Sequence, residues 1–388
     1  MPNIQAIDAV LKDAVAAGQV PGVTATAANA DGVMYDAAFG ARALGGAAPM
    51  TIDTVFRIAS MTKAVTGAAA MQMVEQGKLN LDQNAGEILP WLAKPMVLDG
   101  FDAAGEPKLR PANGTITLRK LLTHTAGFVY DTWNADMNRY AARTGLPAAR
   151  TGKIAALQAP LGFDPGARWE YGINIDLAGR MVEVVSGQNL EAWFQDHLFG
   201  PLGMVDSGFV IQPRWKDRMA TVHARDANGT LSPIDVPPPA ENPEFFAGGG
   251  GLFSTSRDYL KFLQALMHGG TFNGARILKP ETVTLMGQNH MGALNVLPMK
   301  TSNPRMSNDC ELFPGMDKKW GLSFLINTKD VPGARSAGSL AWAGINNTYY
   351  WLDPAKKIAG VLMTQILPFA DPTVLGLLDR FEHAVYAA

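Results

Sequence analysis

The chain has 388 residues, of which 47% are hydrophobic and 18% are charged, a balance that supplies a large buried core and excludes extended disorder. Its formal net charge of −2 provides no basic surface for nucleic acid or for an anionic membrane. Cys310 is the single cysteine, so an internal disulfide and a cysteine-based metal cluster are excluded. We therefore expect a small-molecule partner.

The N-terminal segment predicts an amphipathic helix. Apolar residues recur at helical spacing from Ile4 to Val15, and charged side chains such as Asp8 and Lys12 interrupt them. A signal peptide would instead place a basic run before an unbroken apolar stretch. No window of the sequence is as long and as apolar as a membrane span requires. We therefore expect a cytoplasmic protein that does not bind membranes.

Strand-like runs predict a hairpin near each end of the chain. Near the N-terminus, Asp31-Gly32 separates the apolar runs Val20–Ala30 and Val33–Ala41, and both turn residues tolerate positive φ. Near the C-terminus, Ser339–Trp351 and Ile358–Gln365 form a second pair around a polar turn. Residues 371–388 predict a closing helix.

The middle of the chain has a different pattern. Residues 88–236 contain mostly helical segments and loops, and Pro237-Pro238-Pro239 ends them with a stiff linker. These observations predict an α/β fold of the α+β type, with an antiparallel sheet that is built from both termini and flanked by helices. The predicted sheet domain comprises residues 1–87 and 237–388, and the inserted, mostly helical domain comprises residues 88–236.

Two features follow the proline linker. The run Gly248–Gly251 lacks the Gly-Lys-Ser/Thr ending of a phosphate-binding loop, so we interpret it as a mobile or tightly turned loop. Thr255 and Asp258 have the spacing of a capping box, which predicts that a helix over Tyr259–Met267 starts there.

Ser60 lies at the start of a segment with high helix propensity. This segment is apolar on nearly every side until Glu75, which indicates a buried helix. Free N–H groups at a helix N-terminus favour an oxyanion, and Lys63 lies one turn further on the same face. Desolvation would lower the pKa of this lysine and let it take the serine proton at neutral pH. The alternative is a helix-capping serine with a surface lysine. The strand-like Val55–Ile58 before Ser60 favours the catalytic pair.

Several motifs occur in an order that is typical of one enzyme family. They are Ser60-Met61-Thr62-Lys63, Leu121–Gly127 with His124, Pro165–Tyr171, Pro201–Met204 and Gly249–Ser254. Together they resemble the motifs of serine beta-lactamases and penicillin-binding proteins. The resemblance is closer to the family VIII carboxylesterases, which share the class C beta-lactamase fold, and it covers nearly the whole chain.

The resemblance implies roles for residues beyond Lys63. It makes Tyr171 the catalytic tyrosine. A cationic lysine nearby would lower the pKa of this phenol, so that it acts as base on Ser60 and as acid on the leaving alkoxide. Asn174 comes one residue later than the asparagine of the lactamase Tyr-x-Asn motif, so its substrate-binding role does not carry over. Asp176 matches an aspartate of the esterases or caps a helix over Leu177–Val185.

Trp342-Ala343-Gly344 resembles the esterases' Trp-Gly-Gly, at the position of the lactamases' Lys-Thr-Gly. The resemblance implies substrate contacts here and an oxyanion hole formed by the backbone N–H groups of Ser60 and Ile345. Small residues let this strand approach the substrate closely. We also expect an aromatic pocket lining from Phe128, Tyr130 and Trp133, and a structural role for His124.

The leading hypothesis is a serine carboxylesterase that hydrolyses short- to medium-chain esters through an acyl-enzyme on Ser60. No Gly-x-Ser-x-Gly elbow occurs, and the six histidines show no metal-ligand spacing, so we expect neither metal nor cofactor. A beta-lactamase or D-alanyl-D-alanine peptidase is disfavoured by Trp342 in place of lysine. An acyltransferase differs only in its second nucleophile, and a catalytically inactive binding protein is the remaining alternative. The sequence does not indicate an oligomeric state.

Overall fold

Helices and strands alternate irregularly in the computed structural model, which describes residues 3–387. The α-helices are α1 (Ile4–Ala16), α2 (Thr62–Glu75), α3 (Leu118–Leu122), α4 (Ala135–Thr144), α5 (Asn174–Ser186), α6 (Leu190–Phe194), α7 (Gly200–Leu202), α8 (Ser256–Met267), α9 (Pro280–Met286) and α10 (Pro372–Tyr386). The strands are β1 (Gly22–Asn29), β2 (Gly32–Gly40), β3 (Phe56–Arg57), β4 (Met96–Phe101), β5 (Pro107–Pro111), β6 (His223–Arg225), β7 (Leu231–Pro233), β8 (Phe253–Ser254), β9 (Thr271–Phe272), β10 (Ala275–Arg276), β11 (Lys318–Trp320), β12 (Leu325–Asn327), β13 (Leu340–Gly344), β14 (Thr348–Asp353), β15 (Ile358–Met363) and β16 (Ile366–Leu367). Short 3₁₀ turns, among them Ala59–Met61, connect several of these elements.

Both ends of the chain build the central sheet. Its strand order is β11-β12-β13-β14-β15-β1-β2, and all neighbouring strands run antiparallel. The N-terminal β1 pairs with the C-terminal β15, which places Ala25 opposite Leu362. The predicted fold class, an antiparallel sheet assembled from both termini and flanked by helices, is therefore confirmed.

Helices cover both faces of the sheet. The ring of Trp351 on β14 packs against Phe381 of α10, whereas the neighbouring Tyr350 packs against Tyr259 of α8. Successive residues of a strand point to opposite faces, so α10 and α8 lie on opposite sides. Helix α1 packs beside α10 and buries Ile7, Leu11 and Ala14. Because both faces are covered, the strands in the middle of the sheet are buried along almost their whole length.

Most predicted elements near the chain ends are observed. The N-terminal helix, the hairpin around Asp31-Gly32 and the closing helix are all present as α1, β1–β2 and α10. Helix α8 begins at Ser256, three residues before the predicted start, and Thr255 caps it by accepting a hydrogen bond from the N–H of Asp258 at 3.1 Å. The predicted cap at Thr255 is therefore confirmed.

The prediction of one strand over Ser339–Trp351 was wrong. The chain turns at residues 345–347 and forms two strands, β13 and β14. Asn347 adopts a φ of 58° there, and its side-chain amide donates to the carbonyl oxygens of Ile366 and Pro368 at 2.8 Å each. These partners lie about twenty residues away in sequence, so the local pattern does not show the turn.

The segment 88–236 contributes no strand to the seven-stranded sheet. It contains α3–α7 and two strand pairs that the sequence did not show, β4–β5 and β6–β7. Its status as a separate domain stays a prediction. Across residues 3–387, no helix combines the length and the apolar character that crossing a membrane requires.

Helix α2 is buried as the sequence predicts. Residues Thr62–Met73 are all buried, and the helix packs against α5. A helix surrounded by protein fixes the position of every side chain along it. This burial determines the environment of Lys63.

Candidate active site

A strained turn presents Ser60 between β3 and α2. Ala59 has a φ of 44°, a left-handed conformation that is uncommon for a residue with a Cβ atom. The Thr62 hydroxyl stabilises the turn, because it donates to the Ala59 carbonyl at 2.6 Å and accepts from the N–H of Leu252 at 3.1 Å. Ser60 remains partly exposed and does not cap α2 with its side chain. The alternative of a purely capping serine is therefore wrong.

Lys63 is fully buried beside Ser60. Its Nζ lies 3.1 Å from Ser60 Oγ and 3.1 Å from the hydroxyl of Tyr130, and it donates to the carbonyl oxygen of Gly249 at 2.6 Å. Burial lowers the pKa of Lys63 to about 7, although the negative charge of Asp176 acts in the opposite direction. A neutral amine is therefore available at neutral pH, and the alternative of a surface lysine is wrong.

Tyr171 also lies beside the lysine. The hydroxyl of this buried tyrosine accepts a hydrogen bond from Nε1 of Trp342 at 3.0 Å, and its ring centroid is 4.7 Å from Lys63 Nζ. Burial raises the pKa of Tyr171, and hydrogen bonding with Ser60 and Trp342 offsets only part of this increase. The predicted lowering of this pKa was therefore wrong, because desolvation outweighs the hydrogen bonds that act in the opposite direction. The phenol keeps its proton at neutral pH.

Two tyrosines meet at the lysine because their backbones pair. The N–H of Tyr130 donates to the carbonyl of Tyr171 at 3.1 Å, and the two rings lie 5.1 Å apart. Gly172 makes this pairing possible, since a Cβ there would overlap the carbonyl oxygen of Phe128. The sequence suggested Tyr130 only as pocket lining. Its hydroxyl contact with Lys63 joins positions 67 residues apart, and no local motif indicates it.

The end of β13 approaches the turn that carries Ser60. A Cβ at Gly344 would overlap the carbonyl oxygen of Ile58, so glycine is needed for this approach. The hydroxyl of Thr348 donates to the same oxygen at 3.4 Å. Among the described residues, the N–H groups of Ser60 and Ile345 make no hydrogen bond to the backbone. Both predicted oxyanion donors are therefore free of backbone partners, and their role stays a prediction.

The predicted substrate-contact residues fall into two groups. Tyr130 and Trp133 are partly exposed, and Trp133 lies 5.3 Å from the Tyr171 ring with its Nε1 donating to Ser307 Oγ. The others are buried beneath the site, namely Phe128, Trp342, Ala343 and Gly344. The structure does not bring the Phe128 ring to the exposed part of the site. Direct contact of any of these residues with a substrate stays a prediction.

Polar residues behind Tyr171 are engaged within the protein. The Asn174 amide donates to the Phe128 carbonyl at 2.8 Å and lies 3.1 Å from Nδ1 of His124, so it does not face a substrate. Burial, together with the positive charge of Lys63, holds the pKa of His124 well below its usual value. His124 is therefore neutral and packed against Tyr171, in line with the structural role expected for it.

Asp176 does not cap a helix, so that interpretation was wrong. Helix α5 begins at Asn174 and places Asp176 in its first turn, where the carboxylate accepts the N–H of Gly249 at 2.9 Å. The run Gly248–Gly251 forms a tight turn, in which the amides of Gly250 and Gly251 donate to the Ala247 carbonyl. The site therefore contains a buried carboxylate for which the sequence offered only an uncertain role.

The sequence was also compared with the sequences and structures of known proteins. The beta-lactamase family profile matches residues 7–383 of the chain. The chain belongs to the beta-lactamase family. It is therefore an enzyme of the serine hydrolase and acyltransferase type, and its fold is that of class C beta-lactamases and penicillin-binding proteins.

Relatives that match the whole chain include transferases and an esterase. ML-236A carboxylate methylbutanoyltransferase mlcH of Penicillium citrinum is 35% identical, and the match covers 99% of this chain and 94% of the relative. Lovastatin esterase of Penicillium rubens is 32% identical, with 98% of each chain covered. The structure of simvastatin synthase (LovD) from Aspergillus terreus superimposes with a TM-score of 0.86 at 33% identity, covering 98% of this chain and 97% of that one. Membership of the family VIII carboxylesterases in particular stays a prediction.

Proposed function

We propose that this enzyme transfers an acyl group from a small ester to an alcohol through an acyl-enzyme on Ser60. The observation that carries the proposal is the contact between Ser60 Oγ and the fully buried Lys63 amine at 3.1 Å. Water is a competing acceptor, and its use would make the same site a carboxylesterase. No metal or cofactor takes part in this proposal.

In the acylation half-reaction, the neutral amine of Lys63 takes the proton of Ser60 as Oγ attacks the carbonyl carbon of the donor ester. The backbone N–H groups of Ser60 and Ile345 would stabilise the negative oxygen of the tetrahedral intermediate. Collapse of the intermediate breaks the bond to the leaving alkoxide, which takes the proton of Tyr171. The Lys63 ammonium then passes the proton that it took from Ser60 to the Tyr171 oxygen, which restores the phenol.

This assignment makes Lys63 the base and Tyr171 the acid. The pKa of Lys63 is lowered to about 7, so the amine is neutral in about half of the molecules at that pH. Burial raises the pKa of Tyr171, so the phenol is protonated and ready to donate. Opposed pKa shifts of neighbouring groups are a common basis for dividing acid and base roles.

In the second half-reaction, the acceptor attacks the acyl carbon and its proton follows the same path in reverse. An alcohol gives a new ester, and water gives the free acid. Acyl transfer is the favoured outcome because mlcH of Penicillium citrinum and monacolin J acid methylbutanoyltransferase of Aspergillus terreus are named as transferases and match over nearly their whole length. The esterase alternative is supported by the similarity to lovastatin esterase.

Partitioning of one acyl-enzyme between two acceptors tests the proposal. Nitrophenyl butyrate serves as donor, with 1-butanol or cyclohexanol added over a concentration series, and mass spectrometry measures the butyrate ester and the free acid. We expect the ester fraction to rise with alcohol concentration at the expense of the acid, and Ser60→Ala to form neither product. Free acid as the only product at every alcohol concentration would make the enzyme a hydrolase.

A further inference from the structure

A second buried charge faces Lys63 across the main chain of Gly249. Lys63 Nζ donates to the Gly249 carbonyl at 2.6 Å, and the Gly249 N–H donates to Asp176 Oδ1 at 2.9 Å. Lys63 is 0% exposed and Asp176 is 1% exposed. Oppositely charged groups in such a dry environment interact strongly even when one residue separates them.

The hydroxyl of Tyr130 is a second polar group beside the lysine. It lies 3.1 Å from Lys63 Nζ, and burial, together with the negative charge of Asp176, raises the pKa of Tyr130. Burial raises the pKa of Asp176 as well, and the positive charge of Lys63 and the N–H of Gly249 offset part of that increase. Oδ2 of Asp176 is buried and makes no hydrogen bond within residues 3–387. The carboxylate is therefore held against the lysine without contacting it directly.

Glycine at position 249 is required for this arrangement. A Cβ at Gly249 would overlap Oδ2 of Asp176. The tight turn over Gly248–Gly251 therefore lets the main chain fit between the carboxylate and the amine. This close approach gives the glycine run a role that the sequence pattern alone does not reveal.

We propose that Asp176 is a positioning residue that holds the Lys63 amine through the main chain of Gly249 and sets the pH above which Ser60 is activated. This inference rests on the proposed function, because it requires Lys63 to be the base. The side chain of Asp176 contacts neither Ser60 nor the reacting atoms in the proposed mechanism. It acts only through the lysine.

Among the groups packed around Lys63, Asp176 supplies the charge that acts on the pKa of the lysine. The other titratable groups facing the lysine are Tyr130, Tyr171 and His124. Burial raises the pKa of both tyrosines and lowers that of the histidine, so all three are uncharged at neutral pH. The negative charge of Asp176 raises the pKa of Lys63 against the larger, opposite effect of burial.

Removing the charge of Asp176 should lower the pKa of Lys63. Asp176→Asn removes the negative charge but keeps an oxygen that can accept the Gly249 N–H. The ammonium form of Lys63 then loses its counter-charge, so the pKa of Lys63 falls below about 7. The neutral amine becomes available in more acidic solution. The acidic limb of the pH profile must therefore move to lower pH, even if the maximal rate also falls.

The test is the pH dependence of kcat/KM for nitrophenyl butyrate, a substrate that does not titrate. We expect the acidic limb of Asp176→Asn to lie at least about one pH unit below that of the wild type. Glu183→Gln is the matched control, because Glu183 is a buried carboxylate two turns further along α5 and pairs with Arg180. Its acidic limb should coincide with that of the wild type.

Loss of rate in Asp176→Asn with an unmoved acidic limb would overturn the proposal and leave Asp176 a structural residue. Intact-mass detection of the acyl group on Ser60 separates this result from failure of the proposed function, which would leave Ser60 unlabelled in the wild type. If Asp176→Asn does not fold, Tyr130→Phe takes its place. It removes a hydrogen-bond acceptor of the ammonium, so its limb should move in the same direction by a smaller amount.

Discussion

Two buried pairs of opposite charge in this molecule are built in different ways. The side chains of Arg335 and of Glu382 in α10 touch directly through two hydrogen bonds, one of them from Nε at 2.7 Å, and both side chains are buried. Lys63 and Asp176 are just as buried but are separated by the main chain of Gly249, which hydrogen-bonds to both. The bridged pair leaves the lysine able to lose its proton, and this difference distinguishes a structural ion pair from one that supports proton transfer.

Replacement of the lysine should have the largest effect on catalysis. Lys63→Ala is expected to lower turnover by about two decades or more with folding intact, because the base that takes the Ser60 proton is gone. Tyr171→Phe should cost a similar amount, because it removes the proton donor. Steady-state kinetics with nitrophenyl butyrate, with circular dichroism to check folding, provide the measurement.

The two losses should not add, because the residues act as one unit with Ser60. The double variant is therefore expected to be about as slow as the slower single variant. A Tyr171→Phe enzyme with a near-normal rate would show that the tyrosine only packs in the core.

Breaking the pair Arg335–Glu382 should lower stability and leave catalysis unchanged. Arg335→Met leaves the Glu382 carboxylate buried without its partner, so the free energy of unfolding is expected to fall by about 3–5 kcal/mol. The kcat/KM of the molecules that remain folded should be unchanged. Urea unfolding and active-site titration measure the two quantities separately. A stable but slow variant would contradict the division between structural and catalytic pairs.

The enzyme should prefer neutral esters to charged beta-lactams, because Trp342 stands where a lactamase carries a lysine. A charged beta-lactam there should lose about 2–3 kcal/mol of binding relative to a lysine-bearing site, by the usual value of a charge-assisted hydrogen bond. A neutral ester loses nothing. We therefore expect kcat/KM for nitrophenyl acetate or butyrate to exceed that for a cephalosporin at least about tenfold. Comparable or faster lactam turnover on the same preparation would identify a beta-lactamase.

The smallest predicted effect concerns the hydrogen bond from Trp342 to the Tyr171 hydroxyl. Trp342→Phe removes this donor and is expected to lower kcat about two- to tenfold, which corresponds to one neutral hydrogen bond. Trp320→Phe is the matched control, because its buried Nε1 has no partner among the described residues. The two rings are in contact, so packing losses are similar. Equal rate losses in both variants would assign the Trp342 effect to packing alone.

The local sequence pattern predicts several of the main helices and strands of this fold. Helical spacing identifies α1, the Asp31-Gly32 turn identifies the first hairpin, and the apolar segment after Ser60 identifies the buried α2. The break between β13 and β14 was missed because the side chain of Asn347 finds its hydrogen-bond partners in a distant segment. Such partners exist only after the chain has folded.

Some contacts of the site can be predicted from the sequence and others cannot. Ser60 and Lys63 are one helical turn apart, so their spacing predicts their contact. The contacts of Lys63 with Tyr130 and Gly249 join positions far apart in sequence, and no spacing shows them. The pKa direction of Tyr171 was predicted wrongly because it depends on burial, which a motif does not report. Contacts within one element are therefore predictable, whereas desolvation and long-range bridges are not.

The identity of the acylated residue tests the central claim most directly. Intact mass after brief exposure to a slow ester or a phosphonate, followed by peptide mapping, locates the covalent adduct. We expect one adduct, on the peptide that contains Ser60, and none in Ser60→Ala. An adduct on another serine, or full activity in Ser60→Ala, would contradict it.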